Sequence, residues 1–275
     1  MIRDRNVAEQ FLQHLNYYRF SGYCLAFEGK RHEFLDRTTF EQVKAAYDFD
    51  VALRDLLTEA LEVIEVDVRS CLAYILGEMY GAFGHTDAKH FRRGFRHFEW
   101  KDKLDKESIR SNELFVVHFK NAYAEFPNLP VWMATEIMSF GSLSIMFQGL
   151  LDNCQSAISK CYGMQKSDFG STLHHLCYVR NLCAHHSRTW DREWSISPRL
   201  PRGRYWCDPY VIAPNRLFVT LLLIYRLLKC MPAIEAFTKE WHKRMNVLMR
   251  TPPLVTDPQA RMGMTPTWYQ HPLWL

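Results

Sequence analysis

Residues 38–77, TTFEQVKAAYDFDVALRDLLTEALEVIEVDVRSCLAYILG, contain neither proline nor glycine before the last position. Their apolar residues recur at the three- and four-residue intervals of a helix that buries one face. At the start, a threonine hydroxyl can cap free amides, and an acid or amide three residues later can reach back to it. The stretch predicts one long central helix, with any break expected near residues 48–50.

Helical periodicity also marks the segments on either side of this helix. It predicts helices over 5–20, 108–126, 131–140, 142–150, 152–162, 171–186, 214–230 and 232–249. Residues 81–106 and 187–213 lose the period and are expected to connect helices irregularly. No segment alternates as a strand does, so we expect an all-α fold, a helical bundle built on the long helix.

Two regions are expected along the chain. The first, 1–230, is a helical domain interrupted by the excursion at 81–106. The second, 231–275, consists of a last helix and a tail rich in proline and tryptophan, which is either packed down or disordered.

Composition excludes several classes of protein. The chain has 275 residues, is 48% apolar, and carries a formal charge of only +4. These values exclude disorder for most of the chain and a histone-like field that would coat nucleic acid. The longest apolar run, 217–228, is interrupted by Arg226 and is shorter than a spanning helix. With eight cysteines and no leader-like start, we expect a soluble cytoplasmic protein with reduced thiols and no membrane partner.

The segment that carries chemistry is 178–192, YVRNLCAHHSRTWDR. On a helix, Asn181 and His185 lie one turn apart, and Arg188 shares their sector if the helix continues that far. Arg180 lies about 140° from His185 around the axis, but its side chain is long enough to curl toward the same place. We expect a polar face formed by these side chains.

Such a face suits phosphoryl transfer. Imidazole titrates near neutrality, guanidinium fits a phosphate, and an amide can orient either group. No acidic cluster nearby offers a magnesium site, so the simplest reaction on RNA uses the 2′-hydroxyl as nucleophile and leaves a 2′,3′-cyclic phosphate. From spacing alone, an ordinary helix end with surface histidines explains the same pattern.

Several stretches in order resemble one family. The run 180–192 resembles the signature of bacterial abortive-infection proteins of the AbiD/AbiF-like (Abi-2) family. The resemblance extends over about residues 4–195. It includes LNYYRFSGY at 15–23, TTFE at 38–41, YDFD at 47–50, IEVDVR at 64–69 and EIMSFGSLS at 136–144.

That family looks like a branch of the HEPN superfamily, whose Arg-x4-6-His motif typically forms a metal-independent RNase site, often shared across a dimer. The resemblance therefore implies a HEPN-like bundle in which Arg180, Asn181 and His185 are catalytic. His186, Arg188 and Arg192 match the Abi-like extension of the motif and are expected to support the site. The family signature occurs once in the chain, at 180–192, and the resemblance therefore implies a homodimer.

Other residues extend this expectation. Glu65 and Arg69, four apart on the long helix, either support the active face or form an internal salt bridge. Tyr17, Tyr18 and Arg19 either contact RNA or place at least one tyrosine in the core. Two basic tracts, at 90–103 and 188–204, either contact the RNA backbone or form solvated loops. The predicted RNA contacts are Tyr18, Arg19, Arg92, Arg93, Arg96, Lys101, Arg199, Arg202 and Arg204.

Two functions follow from this sequence. The first is an endoribonuclease that acts as a toxin or abortive-infection effector in phage defence, with RNA as substrate and a small noncoding RNA as inhibitor. The second is a non-cleaving module that binds a structured noncoding RNA. We expect no DNA partner and no cofactor. We also expect no metal, because the Cys and His residues at 174–186 lack paired Cys-x2-Cys spacing and most of them face different sides of a helix.

Overall fold

The computed structural model describes residues 5–30 and 32–275, and helices dominate them. The only sheet in these ranges is a short antiparallel pair, β1 (Glu28–Lys30) and β2 (Glu33–Phe34). The all-α prediction is confirmed. The helices are α1 (Arg5–His14), α2 (Tyr17–Cys24), α3 (Phe40–Tyr80), α4 (His97–Arg110), α5 (Leu114–Ala122), α6 (Val131–Ile137), α7 (Phe140–Gly149), α8 (Asp152–Cys161), α9 (Lys166–Ala184), α10 (Leu217–Lys229), α11 (Glu235–Met249) and α12 (Pro258–Arg261).

The long helix α3 begins with the predicted reciprocal cap. The Gln42 amide N–H donates to Thr39 Oγ1 at 3.3 Å, and the Thr39 N–H donates to Gln42 Oε1 at 2.9 Å. The helix then runs for 41 residues, so the expectation of a break near 48–50 is wrong. Asp50 does not interrupt the helix, because its buried carboxylate finds hydrogen-bond donors outside it.

Two other sequence expectations need correction. The helix predicted over 5–20 is two helices, because Asn16 caps α2 by accepting a hydrogen bond from the Tyr18 N–H at 2.8 Å. The segment 81–106, predicted to be an irregular connection, lacks an α-helix only through Arg96, because α4 begins at His97. Trp100 and Leu104 form the buried face of α4. The charged residues clustered around them make the helical period hard to detect in the sequence.

The chain divides into two compact units. The first contains the described residues through Ala60 together with Tyr178–Ser197 and Arg202–Leu275. The second contains Leu61–Cys177 and Pro198–Pro201. The division into 1–230 and 231–275 stays a prediction.

The C-terminal tail is packed within the first unit. Trp268 and Trp274 are buried, and the Trp274 indole N–H donates to Asn246 Oδ1 at 2.9 Å. The Trp274 ring also meets Trp241 edge-on at 6.2 Å between centroids. Of the two outcomes expected for the tail, packing is therefore the one observed.

Taken singly, the helices that the structure describes fall short of what crossing a membrane requires. Within 5–30 and 32–275, no single helix is long and apolar enough to cross one. One pair, Leu217–Lys229 and Pro232–Met249, meets the length and composition requirement only when taken together, and it is bent by 105°.

Candidate functional site

The chemistry-bearing motif lies at the carboxyl end of α9, where the helix stops in a Schellman motif. The Ser187 N–H donates to the Leu182 carbonyl at 2.8 Å, and the His186 N–H donates to the Cys183 carbonyl at 2.9 Å. His186 has a left-handed backbone with φ of 51°, which makes it the terminating residue. The expectation that Arg188 shares a helical sector with His185 is therefore wrong, since the helix has ended.

Arg180, Asn181 and His185 lie within one turn of each other. The His185 N–H donates to the Asn181 carbonyl at 3.0 Å, and Arg180 Nη1 lies 3.4 Å from Asn181 Oδ1. Asn181 and His185 are exposed and Arg180 is half-buried, whereas Val179 and Cys183 on the other side of the helix are buried. The exposed His185 imidazole thus lies near the half-buried Arg180 on a helix end that is anchored by its apolar face.

The five residues after His185 are each held by the first unit. Arg19 donates to the His186 carbonyl, and Arg54 donates to the Ser187 carbonyl at 3.4 Å. Arg188 Nη1 donates to the Gly22 carbonyl at 2.8 Å. The Thr189 and Trp190 amides donate to Asp50 Oδ1 at 3.1 and 2.6 Å. We call the segment His186–Trp190 the clamped segment.

Asp50 is the centre of these contacts. Its carboxylate is 0% exposed and also accepts hydrogen bonds from the Thr189 hydroxyl at 2.6 Å, the Tyr23 hydroxyl at 2.6 Å and the Arg54 guanidinium. Burial and the neighbouring carboxylate raise the pKa of Tyr23. Burial alone would lower the pKa of Arg54, but the Asp50 charge raises it. Tyr23 therefore stays a neutral phenol and Arg54 stays a cation.

Sequence reasoning did not place Asp50 in the site. The signal was present, because Asp50 ends one of the stretches that carry the family resemblance. A carboxylate among the apolar positions of a long helix is a second sign, since a buried charge requires several partners.

The two arginines that follow the motif, Arg188 and Arg192, form hydrogen bonds within the protein. Arg192 Nη1 donates to the Arg188 carbonyl at 3.3 Å. Burial alone would raise the pKa of Tyr178, but hydrogen bonds with Ser195 and Arg192 lower it below its ordinary value. Arg188 and Arg192 thus bind backbone and neighbouring side chains, which keeps them in place beside the motif.

The tyrosines of α2 differ from expectation. Tyr17 is 69% exposed and Tyr18 is 84% exposed, so the expectation that at least one is in the core is wrong. Phe20 and Tyr23, on the other face of α2, are the buried aromatic residues. Because Arg19 contacts the His186 carbonyl, the exposed tyrosines flank a residue that touches the clamped segment.

Glu65 and Arg69 belong to the second unit, whereas the motif belongs to the first. Arg69 Nη2 lies 2.7 Å from Glu65 Oε1, which is the internal salt bridge. Arg69 also donates to the carbonyls of Thr135 at 2.8 Å and Met138 at 3.0 Å. Arg69 therefore ties the end of α6 to α3.

The predicted RNA-contacting residues outside α2 differ in burial and in whether their side chains already have partners. Lys101 is half-buried and pairs with Asp105, and Arg199 pairs with Asp168 at 3.3 Å. Arg204 lies over the Tyr205 ring at 4.6 Å. Arg92, Arg93, Arg96, Arg199, Arg202 and Arg204 are exposed.

Metal-ligating side chains do not converge in the part of the chain that the structure describes. No three His, Cys, Asp or Glu residues there are placed to hold one ion. The eight cysteines are free thiols, and burial raises the pKa of Cys183, beside the motif, to about 12.

Comparison with known proteins places these features in a family. No curated protein and no solved structure matches the chain. The model of the family described as Abi-like protein matches residues 10–191, well over half of the 275. The match includes Asp50, the motif at 180–185 and the clamped segment. The chain therefore belongs to the Abi-like protein family.

Proposed function

We propose that this protein is a metal-independent endoribonuclease of the HEPN type that acts as an abortive-infection effector in phage defence. Membership of the Abi-like family suggests the biological role. The observation that best supports the chemistry is the exposed imidazole of His185 within one turn of Arg180 and Asn181, on a helix end fixed by the clamped segment. Fixed groups aimed at a reacting centre lower the barrier more than mobile ones do.

The reaction proceeds by internal attack. The His185 imidazole accepts the proton of a ribose 2′-hydroxyl, and the 2′-oxygen forms a bond to the adjacent phosphorus. The bond from phosphorus to the 5′-oxygen breaks, and that oxygen takes a proton from a water molecule, whose hydroxide then takes the proton held on the His185 imidazolium. Arg180 binds the phosphate oxygens, which gain charge in the transition state, and Asn181 holds the guanidinium. The products are a 2′,3′-cyclic phosphate and a 5′-hydroxyl.

The surroundings of the motif suit a single-stranded substrate. Tyr17 and Tyr18 present exposed rings on which bases stack without strong sequence preference. Arg19 carries charge beside them. The proposal places the protein in the cytoplasm as a homodimer, with cellular RNA as substrate and a small noncoding RNA as restraint.

Expression in a bacterial host tests the proposal. Wild type, Arg180→Ala and His185→Ala are induced at equal levels, and the ends of cellular RNA are mapped. We expect growth arrest and new 2′,3′-cyclic phosphate ends with the wild type alone. His174→Ala is a matched control, because that exposed histidine lies on the same helix but outside the motif.

Two results would contradict the mechanism. One is full toxicity of both motif variants, and the other is cleavage that stops when purified protein is treated with a chelator. RNA that copurifies with the wild type without being cut would instead support the non-cleaving RNA-binding module.

A further inference from the structure

The second unit contains a cleft that the proposed reaction does not use. It has a volume of about 540 Å³ and lies among the loop at 92–96, α4 and the start of α7. Residues of this cleft are separated in sequence by about forty positions, and the fold brings them to one place. It belongs to the unit that does not contain the motif.

Three cations line the cleft, and two of them have no ionic partner among the described residues. Arg96 lies 3.4 Å from Glu99, another lining residue. Arg92 and Lys103 are exposed and form no salt bridge within 5–30 and 32–275. The remaining acid, Glu107, forms no salt bridge within the described residues. Three cations against two acids leave the lining of the cleft with a net positive charge.

The first turn of α7 adds hydrogen-bond donors. Ser139 caps the helix by accepting a hydrogen bond from the Ser142 N–H at 3.2 Å. The Phe140 and Gly141 amides come before any intrahelical acceptor, and no acceptor for them is found within the described residues. Gly141 lines the cleft and has no side chain to cover its amide. A helix start of this kind favours an anion.

Aromatic residues complete the cleft. Phe95 and Trp100 both line it. Trp100 is 6% exposed, whereas Phe95 is half-buried. Phe95 is therefore the ring that a ligand in the cleft can contact.

We propose that this cleft binds a nucleotide unit of single-stranded RNA, with the phosphodiester on Arg92, Lys103 and the first turn of α7, and the base against Phe95. Cations, free amides and rings within one cleft match the phosphate and base of one nucleotide. The inference rests on the proposed function in that the ligand is RNA. The cleft holds the strand at a place other than the motif, so that affinity and cleavage depend on different residues.

Binding of a labelled 12-nucleotide oligouridylate tests the cleft. The protein carries His185→Ala so that the strand stays intact. Arg92→Ala with Lys103→Ala is expected to weaken binding by at least about tenfold. Because each neutralised phosphate of a single strand contributes about 0.7 to the salt slope, loss of the one phosphodiester contact lowers that slope by about 0.7.

A matched control removes the same charge elsewhere in the second unit. Arg110→Ala with Lys160→Ala takes one arginine and one lysine, both exposed, from outside the cleft. We expect less than about a twofold change in affinity from this pair.

The results separate the cleft from the reaction. Equal affinity losses in the cleft pair and the control pair would overturn the cleft, as would polyglutamate competing as well as RNA. Cleavage is read independently in proteins that retain His185. Cleft variants that lose affinity while Arg180→Ala still cleaves would support the cleft and defeat the proposed mechanism.

Discussion

At the scale of single residues, two adjacent histidines at the end of α9 have different backbone roles. His185 still donates its N–H to the helix, at 3.0 Å from the Asn181 carbonyl. His186 has left-handed φ and ends the helix, and its carbonyl accepts from Arg19. We therefore expect the side chain to matter at His185 and the backbone to matter at His186.

His186→Gly tests this difference. A left-handed backbone costs a non-glycine residue about 1–2 kcal/mol. Glycine removes this strain, but its greater freedom in the unfolded chain offsets part of the gain in stability. We expect the free energy of unfolding in urea to rise by up to about 1 kcal/mol, with RNA cleavage preserved. His186→Ala, which keeps the β-carbon, should leave both unchanged. Loss of cleavage in a fully stable His186→Ala protein would instead give the imidazole a chemical role.

His85 gives the second unit a dependence on pH. The side chain is 1% exposed, its two ring nitrogens lack hydrogen-bond partners in the described part of the chain, and burial lowers its pKa to about 3. Lys101 and His97 lower the pKa further. The folded protein therefore keeps His85 neutral, whereas the unfolded chain takes up a proton below about pH 6.5.

The sign follows from the proton count. The unfolded state binds more protons as pH falls from 6.5 toward 3, so stability is present above pH 6.5 and is lost through that window. Between pH 7 and pH 5, His85 should account for about 2 kcal/mol of lost unfolding free energy. His85→Phe should remove that part of the dependence, measured as the difference from wild type in urea titrations. His174→Ala, an exposed control, should retain it, and identical pH profiles for His85→Phe and wild type would refute the assignment.

At the scale of elements, the clamped segment joins α2, α3 and the end of α9 within the first unit. Asp50 accepts from the Thr189 and Trp190 amides, the Thr189 hydroxyl, Tyr23 and Arg54. A buried carboxylate with this many donors is costly to replace, because each donor would lose its acceptor. The segment keeps its path because one side chain satisfies several groups at once.

Asp50→Asn should therefore destabilise the protein. The amide is the same size, but it leaves the Arg54 charge buried without its partner, and we expect a loss of about 3–5 kcal/mol. Asp48→Asn makes the same chemical change on the same helix at an exposed pair with Lys44 and should cost less than about 0.5 kcal/mol. Urea unfolding measures both. A loss below about 1 kcal/mol for Asp50→Asn would show that the clamp does not depend on the charge.

Elements with a strong apolar period were predictable from sequence, and those defined by tertiary contacts were not. The 41 residues of α3 follow from their period and cap. The break at Asn16 depends on one side chain that caps α2, and α4 hides its short buried face among charges. In the site, the Arg180 and His185 spacing was visible, whereas Asp50 meets Thr189 across 139 positions and no local pattern shows that contact.

At the scale of the whole molecule, the formal charge of +4 conceals how the charges are used. Several acids neutralise nearby cations, as Asp191 does with Arg216 and Arg261. Arg92 and Lys103 make no such pair within the described residues. Because the net charge is small and the cations without ionic partners are localised, the protein is expected to contact RNA at particular places and not to coat it nonspecifically.

The number of motifs per chain leads to a prediction about assembly. The family motif at 180–185 supplies one imidazole per chain, and the proposed homodimer would place two copies about a two-fold axis. We expect light scattering to give twice the chain mass of 32.6 kDa.

A mixing experiment distinguishes a shared site from two independent sites. Wild-type and His185→Ala proteins are mixed and left until their subunits have exchanged. If each site requires both motifs, an equal mixture retains about one quarter of the cleavage rate of the same total protein, because only pairs of wild-type chains are active. Independent sites would retain about one half, and an active monomer would contradict the shared site altogether.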